Sequence, residues 1–395
     1  YIDNGYYRTC SPSPGYENTA EGIRAFHETL TVDSELIISE AMNNNYKYLA
    51  QNGGNYYDWI EIKNVTNHEV SLTDYYLSDS SKNIQKVSLG DDMLQPGECR
   101  VYMASGNTKF TSKNYIHLPF KLSDMEGIYL AKGDEVVDSL FVGDLPNGYS
   151  IGKNDKGAIE YYSEPTPKEA NKSGSVAVST KPVVSQTSTV IDGVDSLTIT
   201  IDGPGTIYYT TNGAKPTASS SVYKGPITVT KNKVISVMCK EDGKIKSAVQ
   251  TYTYIVNQNH TLPIVSITID PSKLTALHNH AWTEGYEVGA GNIELIENGE
   301  SRFSEPMGLQ LFGGSARGVA KKCYEVVFRK KYGAGHVESA IFDNRDSAIY
   351  QNFVLRTGSQ DESEAVIRDI MGTSLMDEYT DVDVQAYKAV VLYMN

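Results

Sequence analysis

Short runs of aliphatic and aromatic residues, separated by turn residues, dominate the first part of the chain. In the run at 58–64, Trp59, Glu61 and Lys63 alternate with Ile60 and Ile62. This period of two is typical of a half-buried β-strand. Similar runs recur at 36–40, 71–77, 99–103, 127–131 and 136–141, between turns such as NGGN and QPGE. Their even spacing, with no helical pattern between them, predicts an all-β sandwich.

A second group of alternating runs follows a change in composition. Residues 173–190 are rich in small and polar residues, which indicates a linker. Residues 196–256 then alternate again, and the turns TNGAKP and YKGPI supply glycine and proline where a hairpin needs special backbone angles. We therefore predict a small β-domain at 191–256.

The last region mixes strand and helix patterns. Strand-like runs at 262–270 and 285–297 precede a segment in which Asp361 and Glu364 have the spacing of a helix cap. An apolar stripe at helical spacing follows, formed by Val366, Ile367, Ile370, Met371 and Leu375. Residues 261–395 are thus predicted to form an α+β domain with a helix that begins near Asp361.

Glycines, a basic cluster and an apolar alternation meet at 313–333, GGSARGVAKKCYEVVFRKKYG. In an extended strand from 321 to 329, Lys322 shares a face with Tyr324, Val326 and Phe328. A lysine on an apolar face needs a carboxylate, a phosphate or water for its ammonium. The GGSARG turn could admit a phosphate to main-chain N–H groups, with Arg317 as a second cation. The alternative is a lysine that reaches solvent beside an ordinary hairpin turn.

Residues 34–172 resemble the lamin tail domain, an immunoglobulin-like sandwich. The matching segments are LIISEAM, DWIEIKN, VSLTDYYLSD and LSDMEGIYL, in that order. The C-terminal strand and tail that are typical of this family correspond to NGYSIGKN followed by EPTPKEAN, with Lys168 where a glycine is usual. The resemblance implies a lamin tail domain at 33–172.

The same closing pattern also stands at the start of the chain, as NGYYRTCSPSPGYEN at 4–18. We interpret residues 1–30 as the end of a preceding lamin-tail repeat. Such a short piece cannot bury a core alone, so it is expected to be loosely held or to pack on the next domain. The first residue, Tyr1, fits a mature or excised piece.

The segment IYYTTNGAKPTASSSVYKGPITV, at 207–229, resembles the small immunoglobulin-like domain found at the C-terminus of chitobiases. Asn212 stands where aspartate is usual, which preserves the turn chemistry. Such modules usually act as spacers beside other domains, so the resemblance does not imply chitin hydrolysis.

Residues 261–395 resemble the N-terminal part of the CotH family, which consists of atypical protein kinase-like enzymes. The markers are SARG followed by KKCYEVVFRKKYG, and LRTGSQD followed by IRD. Ala320, Cys323 and Glu325 depart from the family pattern in this hairpin. The overall fold class expected is therefore mostly β and multidomain: a lamin-tail sandwich, a small Ig-like sandwich and an incomplete α+β kinase-like domain.

The CotH resemblance implies ATP and a divalent metal such as Mg²⁺ for a complete domain. It makes Lys322 the candidate lysine for the nucleotide phosphates, with Ser315 and Arg317 as further contacts. Glu364 or Asp369 would orient the lysine. The family's catalytic and metal-binding aspartates lie beyond YKAVVLYMN, where this chain ends. We therefore expect no phosphotransfer by this chain alone.

Charge and composition exclude several other classes of protein. The 395 residues carry a formal net charge of −14, which disfavours nucleic-acid binding. No apolar run approaches the roughly 18 residues of a membrane span. The four cysteines are scattered singly and are expected to be buried apolar residues. They are Cys10, Cys99, Cys239 and Cys323.

Two constellations that resemble active sites are weak. His278 and His280 have no accompanying ligand at metal spacing, so a solvated loop is expected there. Asp58 and Glu61 lie on opposite faces of one strand and therefore do not form a glycosidase pair.

Two functions remain open. One is an extracellular or cell-surface protein whose complete kinase-like domain phosphorylates a protein or another surface substrate. The other is a non-catalytic adhesion or scaffold protein, in which the lamin-tail and Ig-like modules bind a surface protein or a glycan.

Overall fold

The computed structural model describes residues 2–3, 6–7, 12–51, 54–143, 145–154, 156–258, 260–358, 361, 364–365 and 367–395. The chain divides into two compact units. Unit 1 comprises Tyr1–Val178 with Gly243–Ile245, and unit 2 comprises Ser179–Asp242 with Lys246–Asn395. The prediction that the chain is mostly β is confirmed.

Unit 1 consists of short strands and one α-helix. In chain order they are β1 Ile2–Asp3, β2 Tyr6–Tyr7, α1 Ala20–Thr29, β3 Leu36–Met42, β4 Asp58–Asn64, β5 Val70–Ser71, β6 Tyr75–Ser78, β7 Val87–Ser88, β8 Met93–Leu94, β9 Cys99–Ala104, β10 Ile116–His117, β11 Gly127–Lys132, β12 Glu135–Phe141, β13 Ser150–Lys153 and β14 Ile159–Tyr162. A 3₁₀ turn lies at Thr108–Phe110.

Two main sheets form a sandwich in unit 1. One has the strand order β10-β9-β4-β3-β13-β14, and the other has the order β12-β11-β6-β7. The core between them is aliphatic and includes Leu36, Ile38, Ile60, Ile62, Leu77, Ile128, Leu130, Leu140 and Ile151. The sandwich architecture is the one that the alternating runs predict.

Strand β4 differs from the prediction of a half-buried strand, because both of its faces are buried. Ile60 and Ile62 belong to the sandwich core. On the other face, Trp59 packs with Met42 and Met103 beneath tyrosines. Glu61 on that face is also fully buried. The strand is central in its sheet, and covering segments outside the sheet hide the face that would otherwise be solvated.

One of these covering segments is the loop at 163–171, which two buried glutamates hold. Glu40 and Glu61 lie directly opposite each other on β3 and β4, beside a register shift. Glu40 accepts hydrogen bonds from the main-chain N–H and hydroxyl of Thr166, at 3.2 and 3.3 Å. Glu61 accepts the N–H of Lys168 at 2.6 Å and the hydroxyl of Ser39 at 2.7 Å. Two buried carboxylates therefore hold the loop on the sheet.

Burial shifts the pKa of both carboxyls upwards. Burial raises the pKa of Glu40 to about 7. The hydrogen bond that Ser150 donates lowers this pKa, and the charge of Glu61 raises it. Burial also raises the pKa of Glu61. Like charges directly opposite on neighbouring strands destabilise a sheet. A protonated Glu40 removes that repulsion.

Lys168 adopts a left-handed backbone conformation, with φ of +72°. A glycine would fit this conformation better, since a Cβ is strained there. The Lys168 ammonium lies 4.6 Å from the centre of the Tyr115 ring. A cation–π contact thus offsets part of the backbone strain.

The helix α1 packs against β12. Ile23 and His27 of this helix are fully buried, and His27 faces Ser139 through Nδ1. Burial lowers the pKa of His27 to about 4. Residues 20–29 therefore belong to the packed part of unit 1, and the origin of 1–30 as the end of an earlier repeat stays a prediction.

Unit 2 contains the remaining elements. They are β15 Val183–Val184, β16 Thr189–Ile191, β17 Leu197–Ile199, β18 Ile201–Asp202, β19 Thr206–Thr210, β20 Ser221–Val222, β21 Ile227–Val229, β22 Lys233–Lys240, β23 Gln250–Val256, β24 Ile264–Thr268, α2 Pro271–Asn279, β25 Glu287–Glu297, β26 Glu300–Leu311, β27 Tyr324–Val327, β28 Val337–Glu338, β29 Ile349–Tyr350, β30 Asn352–Leu355, α3 Arg368–Tyr379 and β31 Val391–Met394. A 3₁₀ turn lies at Ser315–Arg317.

Among the described residues, one 11-stranded sheet runs through unit 2, beside three two-stranded sheets. Its order is β20-β19-β22-β23-β16-β26-β25-β24-β31, and β27 and β30 extend from β26. Strand β16 pairs with β23 on one side and meets β26 at Thr189 and Glu300 on the other. The predicted linker at 173–190 therefore ends in a strand of this sheet.

Polar groups are buried where the Ig-like part of this sheet meets the rest. Thr253 and Ser266 join their hydroxyls at 2.9 Å, and Ser188 accepts the N–H of Thr253 at 2.9 Å. Burial raises the pKa of Glu294, which faces Ser188, Ser301 and Thr253. The two parts of unit 2 are thus joined by specific hydrogen bonds as well as by strand pairing.

Helix α3 begins at Arg368, seven residues later than predicted. The Asp361 carboxylate accepts from the N–H of Arg368 at 3.4 Å. Met371 and Leu375 of the predicted apolar stripe are about half exposed, and Val366 lies outside the described residues. The stripe is therefore not a core face in this structure.

The cysteines follow the expectation only in part. Cys239 and Cys323 are buried, whereas Cys99 is half-buried. Burial raises the pKa of the Cys99 thiol to about 12. Cys10 lies outside the described residues. Among the residues that the model describes, no helix is long and apolar enough to cross a membrane.

We predict that Lys168→Gly is more stable than Lys168→Ala by about 1 kcal/mol, because only glycine removes the strain at positive φ. Both variants lose the contact with Tyr115, so the difference between their free energies of unfolding reports the backbone strain alone. Urea unfolding followed by the fluorescence of the buried Trp59 measures this difference. Equal midpoints for the two variants would show that φ at this position is not a constraint.

We further predict that Glu40→Gln removes part of the pH dependence of unit 1. The folded pKa of about 7 exceeds the ordinary value of 4.5, so ionisation of Glu40 disfavours folding. The wild type should therefore lose stability relative to Glu40→Gln as pH rises from 4.5 to 7, by roughly 3 kcal/mol, and no further above pH 7.

The measurement is urea unfolding of both proteins at pH 5 and pH 8, again through Trp59. Comparison at each pH cancels the opposite contribution of His27, whose lowered pKa costs stability as pH falls. Glu35→Gln is the control, since hydrogen bonds from Lys132 and His68 lower the pKa of the exposed Glu35. An unchanged difference between wild type and Glu40→Gln at the two pH values would contradict the prediction.

Candidate functional site

The glycine-rich turn connects β26 to β27. After Leu311 the chain turns through Gly313, whose φ is +92°, and through the 3₁₀ turn Ser315–Arg317. The following strand begins at Tyr324, so it is shorter than the strand predicted from 321 to 329. Lys322 precedes the strand and is not part of it. The turn and the lysine lie together at one end of the β26–β27 pair.

The chain that follows Lys322 is buried on both faces, because Cys323 and Val327 are buried as well as the predicted apolar face. Tyr324, Val326 and Phe328 are all buried, while Lys321 is exposed. The ammonium of Lys322 donates to the carbonyl oxygens of Arg317 and Val319, at 2.9 and 3.0 Å. The half-buried lysine therefore closes its own turn, and main-chain carbonyls supply the partners that a buried ammonium requires.

Arg317 and Ser315 lie in the same turn. Ser315 is exposed, and Arg317 is half-buried. The Arg317 Nε is buried and has no hydrogen-bond partner among the described residues. A buried guanidinium N–H without an acceptor is costly, so this position is suited to an incoming anion.

The two predicted orienting acids are bound to arginines. Glu364 pairs with Arg368, and Asp369 pairs with Arg356 at 2.7 Å. Both acids are more than half exposed. Neither of these ion pairs includes Lys322, so the orienting role of Glu364 or Asp369 stays a prediction.

Three further side chains lie beside the turn, and sequence spacing does not predict that they meet there. Tyr324 hydrogen-bonds to Nε2 of His278 at 2.9 Å. Burial lowers the pKa of His278, and the charge of Lys322 lowers it further. Trp282 lies on Gly318 and is 73% exposed. The turn is therefore bordered by aromatic and imidazole groups as well as by cations.

The histidines 278 and 280 differ from the expected solvated loop. His278 lies in the last turn of α2 and His280 caps that helix. The His280 ring stacks on Tyr286 at 4.1 Å. The helix start was recognisable, because Asp270 followed by Pro271 is a strong N-terminal pattern. Within the described part of the chain, no three His, Cys, Asp or Glu side chains are placed to hold a metal.

The RKKYG segment after β27 is anchored by one carboxylate. Glu287 on β25 accepts from Arg329 at 2.7 Å, Lys331 at 2.6 Å, Tyr332 at 2.6 Å and Gln310 at 2.8 Å. Burial alone would raise the pKa of Glu287, but these donors lower it to about 2. The basic residues at 329 and 331 therefore serve an internal anchor.

Tyr332 lies across glycines of two neighbouring strands. A Cβ at Gly289 would stand 1.9 Å from the Tyr332 ring, and a Cβ at Gly308 would stand 2.4 Å from it. Glycine is therefore required where the ring crosses β25 and β26. The hydroxyl of the same ring reaches Glu287, so packing and hydrogen bonding position this segment together.

A separate open cavity of about 900 Å³ lies at the far end of the β25–β26 hairpin, by Asn298 and Gly299. Its polar lining includes Glu297 and Lys388, which pair at 2.5 Å. None of the predicted site residues lines it. The predicted phosphate turn and this cavity are thus different places.

The fold defines a mostly β, modular protein whose second unit contains a small immunoglobulin-like part. Residues 186–251 match the chitobiase/beta-hexosaminidase C-terminal domain family, which confirms the module predicted at 191–256. No curated protein matches the chain.

We predict that Gly289→Ala destabilises unit 2 by about 2 kcal/mol, because the added methyl displaces Tyr332 from β25. Gly372→Ala is the control, since open space surrounds Gly372 in α3. Hydrogen–deuterium exchange of the β25 and β26 amides measures the change. Equal protection of these amides in the two variants would contradict the proposed packing.

Proposed function

We propose that the chain is part of an extracellular or cell-surface protein of the CotH type. In its complete form this protein would transfer a phosphoryl group from ATP to a protein or another surface substrate. Residues 261–395 would be the N-terminal part of the kinase-like domain. A lamin-tail sandwich at 33–172 and the Ig-like module would precede it. The location outside the cell rests on the company of these modules and on the polar, tyrosine-rich composition.

The observation that carries the nucleotide role is the meeting of two cations at one turn. Lys322 reaches back to the carbonyls of Arg317 and Val319, so its ammonium lies at the turn that also holds Arg317. The Arg317 Nε has no partner within the described chain. A phosphate would accept from both groups and replace the carbonyls as the partner of Lys322. The exposed hydroxyl of Ser315 would be a third donor.

The proposal covers the phosphate contacts and assigns no metal ligand. In the described residues no acidic or imidazole cluster is placed to hold a divalent ion. Arg356 and Arg368 hold Asp369 and Glu364, so an orienting acid would have to leave its arginine first. If it does, Asp369 is favoured over Glu364 because it lies within α3 and Glu364 precedes the helix.

A non-catalytic scaffold is the second candidate. It is favoured by the same bonds that close the turn, because carbonyls satisfy Lys322 without any ligand. In this case the turn is a structural hairpin end, and the lamin-tail-like and Ig-like modules would bind a surface protein or glycan.

A thermal-shift titration of the complete domain with ATP and Mg²⁺ distinguishes the two. We expect Lys322→Ala to weaken nucleotide binding at least tenfold, a loss of about 1.4 kcal/mol. Lys321→Ala is the matched control, since the neighbouring lysine is exposed on the opposite face. Equal shifts for Lys322→Ala and Lys321→Ala would refute the role of Lys322. A wild-type chain that shows no shift would favour the scaffold.

A further inference from the structure

A buried ion pair connects the two sheets of unit 1. Lys153 is the last residue of β13 in the larger sheet, and Asp138 belongs to β12 in the smaller one. Lys153 is 5% exposed and Asp138 is fully buried. Charged side chains are rarely this deep in a protein unless they are paired. The nucleotide site and the covering loop of unit 1 make no use of this pair.

A short network of donors surrounds the pair. Thr31 donates its hydroxyl to Oδ1 of Asp138 at 2.9 Å and accepts from the Lys153 ammonium at 3.1 Å. The main-chain N–H of Ile38 donates to Oδ2 of Asp138 at 2.6 Å. Lys153 itself donates to Oδ1. The carboxyl therefore has donors on both oxygens, and a single hydroxyl bridges it to the amine.

Two opposite charges in such a place are poorly stabilised. Removing an ammonium and a carboxylate from water costs several kcal/mol for each ion, and their attraction does not always repay it. A neutral amide in the same volume would avoid that cost. The side chains are also held next to each other, and such proximity raises effective concentration by many orders of magnitude.

We propose that Lys153 and Asp138 condense into an isopeptide bond that covalently links the two sheets. The reaction needs no oxidant, reductant or other co-substrate. A proton passes from the ammonium to the carboxylate, which leaves a neutral amine and a carboxylic acid. The amine Nζ attacks Cγ of Asp138, the new N–C bond forms, and the bond from Cγ to one oxygen breaks. That oxygen leaves as water with two protons that began on Lys153.

The surrounding groups fit this chemistry. Thr31 contacts both Nζ and Oδ1, so its hydroxyl can relay the protons from the amine to the departing oxygen. The N–H of Ile38 is fixed in the sheet and stabilises the negative charge that develops on Oδ2. Burial of the pair excludes solvent, which keeps water from reversing the condensation.

Intact-mass spectrometry of the purified full chain tests the proposal. We expect a mass lower than that of the sequence by one water, and a protease digest that contains one branched peptide joining Lys153 to Asp138. An unchanged intact mass in the folded protein would overturn the proposal. So would a loss of water that maps to any other position.

Variants test the chemistry separately from the fold. Lys153→Arg keeps a cation beside Asp138 but should show the full sequence mass. Asp138→Asn should form the same bond with loss of ammonia instead of water. Thr31→Val should slow bond formation after refolding about a hundredfold, as loss of a proton relay does. Condensation at the wild-type rate in Thr31→Val would overturn the relay.

Lys86 and Asp79 provide an internal control in the same unit. They form an ion pair at 2.5 Å, but the Lys86 side chain is 31% exposed. We expect their peptides to remain unlinked, because both ions are partly solvated. If these peptides were linked to the same extent, burial would not be the cause and the proposal would fail.

Discussion

A carboxylate that is removed from water must receive hydrogen bonds. In this protein, loops outside the sheets donate those hydrogen bonds and are thereby held against the strands. Glu40 and Glu61 hold the loop at 163–171 on the outer face of β3 and β4. Glu287 holds the RKKYG segment beside β25. In each case the strand supplies the acid and the loop supplies the donors. Much of the loop structure therefore depends on a few buried acids.

The predicted nucleotide turn contains the opposite case, in which a half-buried cation needs hydrogen-bond acceptors. Lys322 is a cation on an apolar face, and main-chain carbonyls of its own turn satisfy it. Because these partners are local, the lysine has a defined position without any distant acid. A phosphate would have to replace the two hydrogen bonds from Lys322 to these carbonyls. Binding would therefore be weaker than binding to a lysine that only water solvates.

The sequence predicts the strands and their phases well, because alternation is a local property. The burial of Tyr324, Val326 and Phe328 follows from it, but the burial of Cys323 and Val327 on the other face does not. The start of α3 does not follow from it either, since the helix begins at Arg368 and the Asp361 carboxylate accepts from the N–H of that residue. Local spacing contains no information about which donor a side chain will choose.

Only the part of the candidate site that is formed by sequence neighbours can be predicted from the sequence. Lys322, Arg317 and Ser315 are neighbours in sequence and lie in one turn. The contacts of Trp282 and His278 with that turn depend on how α2 packs, and the pairing of Glu40 with Glu61 depends on a register shift between strands. Neither follows from a pattern along the chain. The acid opposite Glu61 is Glu40, which lies on another strand.

The continuous sheet of unit 2 affects how this part of the chain would respond to mechanical force. A module that is joined to its neighbour only by a flexible linker can rotate and extend like a bead on a string. Here β16 pairs with β23 at three positions and with β26 at one, so tension along the chain would load these strand pairings before the two parts separate. The Ig-like part would then transmit a pull to the following strands instead of absorbing it.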